Sequence, residues 1–177
     1  MQHPVRAPRL AFAFVLLLSC ASHTDPAPTD PQNGPFVAFA QDFAAFRSWT
    51  SFHSDGPTTG SFPPDVLGPR TQYINKVPPK GSTEFPVGTI IVEARESGAK
   101  NIFAGVKRGG SFNSAGCANW EWFELLEGSA VTIKWRGVGP PLGEVYGGDP
   151  NGGCNACHGI YKSNDYVASS KLQLANF

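Results

Sequence analysis

The sequence predicts a mainly β (α+β) domain: an antiparallel sheet of about five strands, one N-terminal amphipathic helix and a C-terminal segment built around a Cys-x-x-Cys-His motif. Three observations lead there. Gly (20) and Pro (16) together make up about a fifth of the 177 residues, which favours turns over long helices. After residue 69, short β-branched or aromatic runs recur, each bounded by Gly, Pro or Asn. No helical pattern intervenes between these runs, and their mostly short connections favour an antiparallel meander over a parallel α/β sheet. With 41% hydrophobic and 16% charged residues, 13 Phe and 4 Trp, the chain has material for one core and one domain.

In chain order, Leu10 to Leu18 (LAFAFVLLL) is an apolar run preceded by Arg6 and Arg9. It is too short to span a bilayer, which takes about 20 residues, and reads as the core of a signal peptide over 1–19. Export is therefore expected. Leu17-Leu18-Ser19-Cys20 resembles the bacterial lipobox, which predicts lipidation at Cys20 and a lipoprotein facing the periplasm. The alternative is an ordinary signal peptide with an incidental cysteine. Ala21, rather than Asp, after the cysteine favours the outer membrane over the inner by resemblance to the enterobacterial sorting rule. Residues 20–35 combine the lipidated cysteine with a tether of prolines and small polar residues that has too little apolar surface to fold.

The folded domain is expected over 36–177. From Phe36 to Phe52, apolar residues at Phe36, Phe39, Ala40, Phe43, Phe46 and Trp49 are three or four apart, which predicts one amphipathic helix covering a sheet face. His53-Ser54-Asp55-Gly56-Pro57 ends it. The predicted strands are Arg70 to Asn75, Thr89 to Arg95, Asn101 to Lys107, Trp120 to Leu126 and Val131 to Arg136. The 14 basic residues balance 14 acidic ones over the whole chain, and two of the basic ones, Arg6 and Arg9, lie in the signal segment. A slightly acidic mature domain has no footprint for nucleic acid, and contact with a membrane is expected through the lipid anchor alone.

Cys154-Asn155-Ala156-Cys157-His158 has the arrangement of c-type haem attachment. The two thiols add to neighbouring vinyl groups and the adjacent imidazole ligates the iron, so Cys154, Cys157 and His158 are expected to bind one covalent haem c. Gly152-Gly153 and Gly159 suggest a loop pressed against a flat cofactor. Two other readings stand beside this one. Cys154 and Cys157 would form a structural disulfide, or a zinc ion would recruit Cys117 as a further ligand.

Subtraction constrains the sixth iron position. The only methionine is Met1, so His/Met ligation within the domain is excluded. His3 and His23 lie in the signal and tether, which leaves His53, Lys107, Lys76 or Cys117 to close the site. Each also has a plain reading as a solvated or buried structural residue. An open site is the favoured expectation, and it implies binding or redox conversion of a small ligand, whereas a six-coordinate iron mainly passes electrons.

The order of Arg70-Thr71-Gln72-Tyr73-Ile74-Asn75, Phe85-Pro86-Val87-Gly88-Thr89-Ile90-Ile91-Val92, Val106-Lys107-Arg108, Asn119-Trp120-Glu121-Trp122-Phe123-Glu124 and a C-terminal CxxCH resembles the cytochrome P-460 and cytochrome c′-beta family over about residues 40 to 170. The resemblance implies a β-sheet domain with helices, a five-coordinate haem and often a homodimer. It also implies small nitrogen species, nitric oxide or hydroxylamine, as ligand or substrate, with a redox partner protein. P-460 members join a lysine to the haem edge and oxidise hydroxylamine, whereas c′-beta members lack the link, line the site with phenylalanine and bind nitric oxide or carbon monoxide. Many members have a lysine after the apolar strand, where this chain has Glu93 after Val92. Lys107 is the substitute candidate for the link, and Phe103 a candidate pocket phenylalanine.

Glu93 and Lys107 are thus the candidate catalytic groups. Along the strand, Ile90, Val92 and Ala94 alternate with Thr89, Ile91 and Glu93. If the second set faces the haem, Glu93 serves as a base or hydrogen-bonds a ligand. If the first set does, Glu93 is a solvated sheet-surface carboxylate, which is the favoured expectation for a lone strand glutamate.

Overall fold

Among the described residues, six strands follow one another as an antiparallel meander: β1 (Thr50–Ser54), β2 (Arg70–Ile74), β3 (Ile90–Arg95), β4 (Ile102–Lys107), β5 (Trp120–Glu127) and β6 (Val131–Gly137). The computed structural model describes residues 34–56, 68–96, 101–139 and 153–177. The signal segment, Cys20 and most of the tether lie outside the described residues. The mainly β, antiparallel architecture is as the alternating runs predict, with one strand more than the expected five.

The extra strand, β1, occupies the end of the expected helix over 36–52. Helical structure there is confined to α1 (Ala40–Phe43) and a 3-10 turn at Phe46–Ser48. The Asp42 carboxylate accepts from the Phe39 amide at 2.7 Å and caps the first turn, but Trp49 is already extended. The spacing of three and four holds in part as a burial pattern: Phe43 and Phe46 are buried, with Phe36 and Trp49 packed against the same core, while Ala38, off the stripe, is buried and Ala40, on it, is only half-buried. Phe39 departs from the stripe and is exposed, because the chain bends around the sheet rather than continuing as a rod. Thr50 to Ser54 then pairs with β2, Phe52 opposite Gln72.

Both faces of the sheet are covered. On one, Val92, Ala104, Val106, Phe123 and Leu125 pack against this N-terminal segment. Phe43 and Phe123 rings meet at 5.1 Å, and Arg136 reaches the Ala38 carbonyl at 2.7 Å. Glu121, almost fully buried, bonds Arg136 at 2.8 Å and Arg108 at 3.0 Å, so a charge inside this layer is neutralised by two guanidinium groups. On the other face, Ile74, Ile91, Trp120, Trp122 and Trp135 pack against the C-terminal segment through Val167, Leu172 and Leu174. Burial on both faces explains why every residue from Trp120 to Leu125 is buried, Glu121 and Glu124 included, with no exposed alternate.

The C-terminal segment begins with α2 (Gly153–His158), continues through a kinked 3-10 stretch at Gly159–Asn164 and turns back at Asp165 and Tyr166. Asn164 organises the return: its amide donates to the carbonyls of Val167 and Leu172, both at 2.9 Å, and its oxygen accepts from the Leu174 amide at 2.8 Å. Among the described residues, no helix is long and apolar enough to cross a membrane.

Candidate functional site

A cavity of about 310 Å3 opens between the second sheet face and the C-terminal segment. That lies at the lower end of the range for ligand sites, about 300–1,000 Å3. The sheet contributes Arg70 and Gln72 from β2, Ile91 and Glu93 from β3, Phe103 and Gly105 from β4, and Trp120 and Trp122 from β5. Cys154, Cys157 and His158 line it from α2, with Tyr161, Tyr166 and Val167 beyond.

The Cys-x-x-Cys-His motif forms a helix rather than the expected loop. Positions 154, 157 and 158 are i, i+3 and i+4, so both thiols and the imidazole share one helix face, which is the face toward the cavity. Asn155, on another side of the helix, is buried and locks it to the sheet. Its side-chain oxygen accepts from Asn113 at 2.8 Å and from the Trp122 indole at 2.9 Å, while its amide donates back to Asn113 at 3.1 Å.

The fold fixes the tautomer of His158. Its Nδ1 lies 2.7 Å from the Tyr166 carbonyl, which can only accept, so Nδ1 carries the proton and Nε2 keeps its lone pair. The ring lies against Trp122 with centroids 4.2 Å apart. Burial pushes its pKa below the ordinary value against the opposing pull of Tyr166 and Glu93, which favours the neutral, metal-binding imidazole. Burial also pushes the Cys154 thiol up to about 12, with Cys157 and Cys117 adding, and raises Cys157. Both are therefore held as protonated thiols rather than reactive thiolates.

Glu93 overturns the expectation of a solvated carboxylate. Its side chain is only 20% exposed and lines the cavity, because Gln72, Glu93 and Phe103 form one cross-strand row on the face covered by the C-terminal segment. Arg70 donates to one carboxylate oxygen at 2.6 Å and Gln72 to the other at 3.0 Å. Ser169 in turn donates to Gln72, so a polar network connects the C-terminal segment to this wall. Phe103 also lines the cavity, as the candidate pocket phenylalanine.

The other candidates go elsewhere. Lys107 is buried but bonded to Asp165 at 2.6 and 2.7 Å, away from the cavity lining. Lys76 donates to the Val87 carbonyl at 2.7 Å. Cys117 is buried behind the motif, its thiol 3.6 Å from the Asn155 carbonyl. Cys117, Cys154 and Cys157 are all free thiols in this structure, and no group of three or more His, Cys, Asp or Glu among the described residues is placed to hold a metal ion.

No protein-family model, curated protein or solved structure matches the chain. The arrangement therefore has to be read from its own chemistry. That chemistry suits a flat, apolar, iron-bearing ligand: two thiols and an available imidazole nitrogen on one helix face, an apolar wall, and a polar corner at Arg70, Gln72 and Glu93. Gly105 fits the same picture, since a Cβ there would come within 2.9 Å of the Trp122 ring and crowd the wall.

His53 sits on edge strand β1, its Nδ1 2.8 Å from Glu96 and its Nε2 3.5 Å from Asp55. The Glu96 hydrogen bond raises its pKa above 6.5. The stabilisation this bond provides is present below the unfolded-state pKa and fades as pH rises through the raised folded value. A proton NMR titration of His53 is expected to have a midpoint above 6.5 in the wild type, returning toward it in Glu96→Gln, with the visible spectrum of His53→Ala unchanged. A changed spectrum would make His53 an iron ligand.

Residues that sequence reasoning missed are Arg70, Gln72, Trp122, Asn113, Asn155 and the Tyr166 carbonyl. Period-two alternation puts Trp120 beside Trp122 and Arg70 beside Gln72, and thus held a signal for three of these side chains, Arg70, Gln72 and Trp122. Nothing in the sequence marks an x position of the motif, or a backbone carbonyl, as functional.

Proposed function

We propose that this chain is an exported, single-haem c-type protein with one open iron position, which binds small nitrogen species such as nitric oxide. The observation that carries the reading is the geometry of His158: Nδ1 tied to a backbone carbonyl, and Nε2 available on the helix face that also bears Cys154 and Cys157. Haem c, when bound, supplies an iron that takes diatomic or nitrogenous ligands and changes oxidation state. In this reading Cys154 and Cys157 hold it through thioether bonds and His158 through Nε2. Trp122 fixes the imidazole plane, and Ile91 and Phe103 exclude water.

Glu93 is a fixed hydrogen-bond acceptor in the cavity. Arg70 and Gln72 occupy part of each carboxylate oxygen, so it holds a protonated ligand more readily than it strips a proton from one. That favours ligand binding over hydroxylamine turnover. It also agrees with the absence of a lysine at this strand position, where many P-460 members that the sequence resembles have one. The two strongest candidates for a sixth ligand in a pure electron carrier, His53 and Lys107, both have partners outside the cavity.

The test is the visible spectrum of full-length protein matured with the haem-attachment machinery. An ordinary c-type ferrous spectrum, a five-coordinate high-spin resting iron, reversible nitric oxide binding by the ferrous form and weak or absent hydroxylamine turnover are expected. A colourless protein overturns the reading. A far-red ferrous band with a lysine-linked haem peptide would make it a P-460 enzyme, and low-spin six-coordinate spectra in both oxidation states an electron carrier.

The same proposal places the domain on a lipid at Cys20, facing the periplasm, with electrons exchanged through a redox partner protein. Cys20→Ala is expected to move the protein from the membrane fraction to the soluble one. An unchanged membrane pool would remove the lipid anchor from the reading.

A further inference from the structure

We infer that the buried Lys107–Asp165 pair positions the axial histidine, by pinning the left-handed turn whose carbonyl holds the His158 Nδ1 proton. The inference rests on the reading of His158 as an iron ligand, and adds to it two residues that touch neither the cavity nor the iron.

The chain of contacts is short. His158 donates from Nδ1 to the Tyr166 carbonyl at 2.7 Å. Tyr166 has φ +65° and its neighbour Asp165 φ +49°, two consecutive non-glycine residues in the left-handed region. Each such residue is unfavourable for a side chain with a Cβ and persists only where its surroundings over-determine it. The Tyr166 amide donates to the Tyr161 carbonyl at 2.9 Å, which closes the turn on itself but does not attach it to the sheet.

Attachment comes from the Asp165 side chain. Its two oxygens take the Lys107 ammonium at 2.6 and 2.7 Å, and Oδ2 also accepts the Phe85 amide at 2.9 Å. Lys107 is 2% exposed at the end of β4, with its ammonium 5.6 Å from the centroid of the Trp120 ring. The turn is therefore anchored to the strand that also supplies Phe103 and Gly105 to the cavity. A buried pair is a costly device for stability alone, since well-packed apolar residues often do as well. What this one adds is a fixed direction for one carbonyl.

That direction matters chemically. The bond from Nδ1 sets the tautomer, holds the ring plane and raises the basicity of Nε2. Release of the turn would let the carbonyl drift, weaken the Nδ1 bond and make Nε2 a poorer donor to iron. Lys107 thereby has a role incompatible with a link to the haem edge.

Asp165→Asn is the discriminating variant, because asparagine tolerates φ > 0 and still accepts the Phe85 amide while losing the ionic tie. Lys107→Met and the double variant K107M/D165N complete the set, the double variant leaving no lone buried charge. In the haem-loaded full chain, resonance Raman of the ferrous form is expected to give a lower Fe–His stretching frequency in all three than in the wild type. In the haem-free full chain, the ring 15N shifts of His158 are expected to report Nδ1–H in the wild type and a mixture with Nε2–H in the variants. An unchanged frequency and an unchanged tautomer in folded variants would overturn the inference. So would collapse of the double variant together with both single ones, which would make the pair a core tie and nothing more. The second readout needs no haem: a colourless wild type whose His158 tautomer still responds to these variants would defeat the haem reading and leave the positioning role standing.

Discussion

Cys154→Ser combined with Cys157→Ser is expected to abolish retention of haem after denaturation. A thioether survives unfolding, whereas axial ligation and apolar contact do not, so denaturing electrophoresis stained for haem should show a full band for the wild type and none for the double variant. Each single variant keeps one bond and a fraction of the stain. His158→Gly tests the third member of the helix face separately. Its haem is expected to remain covalently attached while the iron loses its protein ligand, and added imidazole should restore a wild-type-like spectrum because the substitution leaves room beside Trp122. A haem-stained band of undiminished intensity in the double cysteine variant would refute the attachment.

The second large effect is expected at Trp122. It is 5% exposed, its ring is stacked on Trp120 with centroids 6.0 Å apart, and it lies 4.2 Å from the His158 ring. Its indole N–H is one of the donors that hold Asn155. Trp122→Ala removes all three contacts and leaves a cavity beside the motif helix, which costs about 3–5 kcal/mol. For a domain of this size that lowers Tm by roughly 10 °C. Trp122→Phe keeps a ring against His158 and loses the hydrogen bond, with an expected cost of about 1–3 kcal/mol. Thermal unfolding of the two variants checks the order. Equal losses would mean that the Asn155 bond, rather than ring packing, holds the motif helix on the sheet. No loss in either would remove Trp122 from the account of the site.

Much of the site chemistry was legible in residue order. Cys154, Cys157 and His158 stand out in the sequence because the proposed haem attachment needs those groups at that spacing, whatever surrounds them. The meander was legible because Gly and Pro punctuate runs whose period is two. The expected helix over 36–52 failed for a physical reason: spacings of three and four mark which residues are buried, and short helical turns that wrap a sheet bury Phe43 and Phe46 as well as a continuous helix would. Thr50–Ser54, an edge strand with mostly polar residues, gave no apolar alternation to betray it.

By itself, then, the sequence determined the strand parity, the turns and the spacing of two thiols and an imidazole in the motif. The absence of any methionine after Met1 also removed His/Met ligation from the domain. Parity did not say which face each set would join. Ile91 and Glu93 face the cavity, and Ile90, Val92 and Ala94 face the N-terminal segment, only because the two ends of the chain cover opposite sides of the sheet. Tertiary structure likewise sent Lys107 to Asp165 rather than to the cavity, and gave His158 Nδ1 a carbonyl eight residues away. Such choices depend on contacts between segments distant in sequence, where burial and charge pairing are decided by what packs opposite rather than by local pattern.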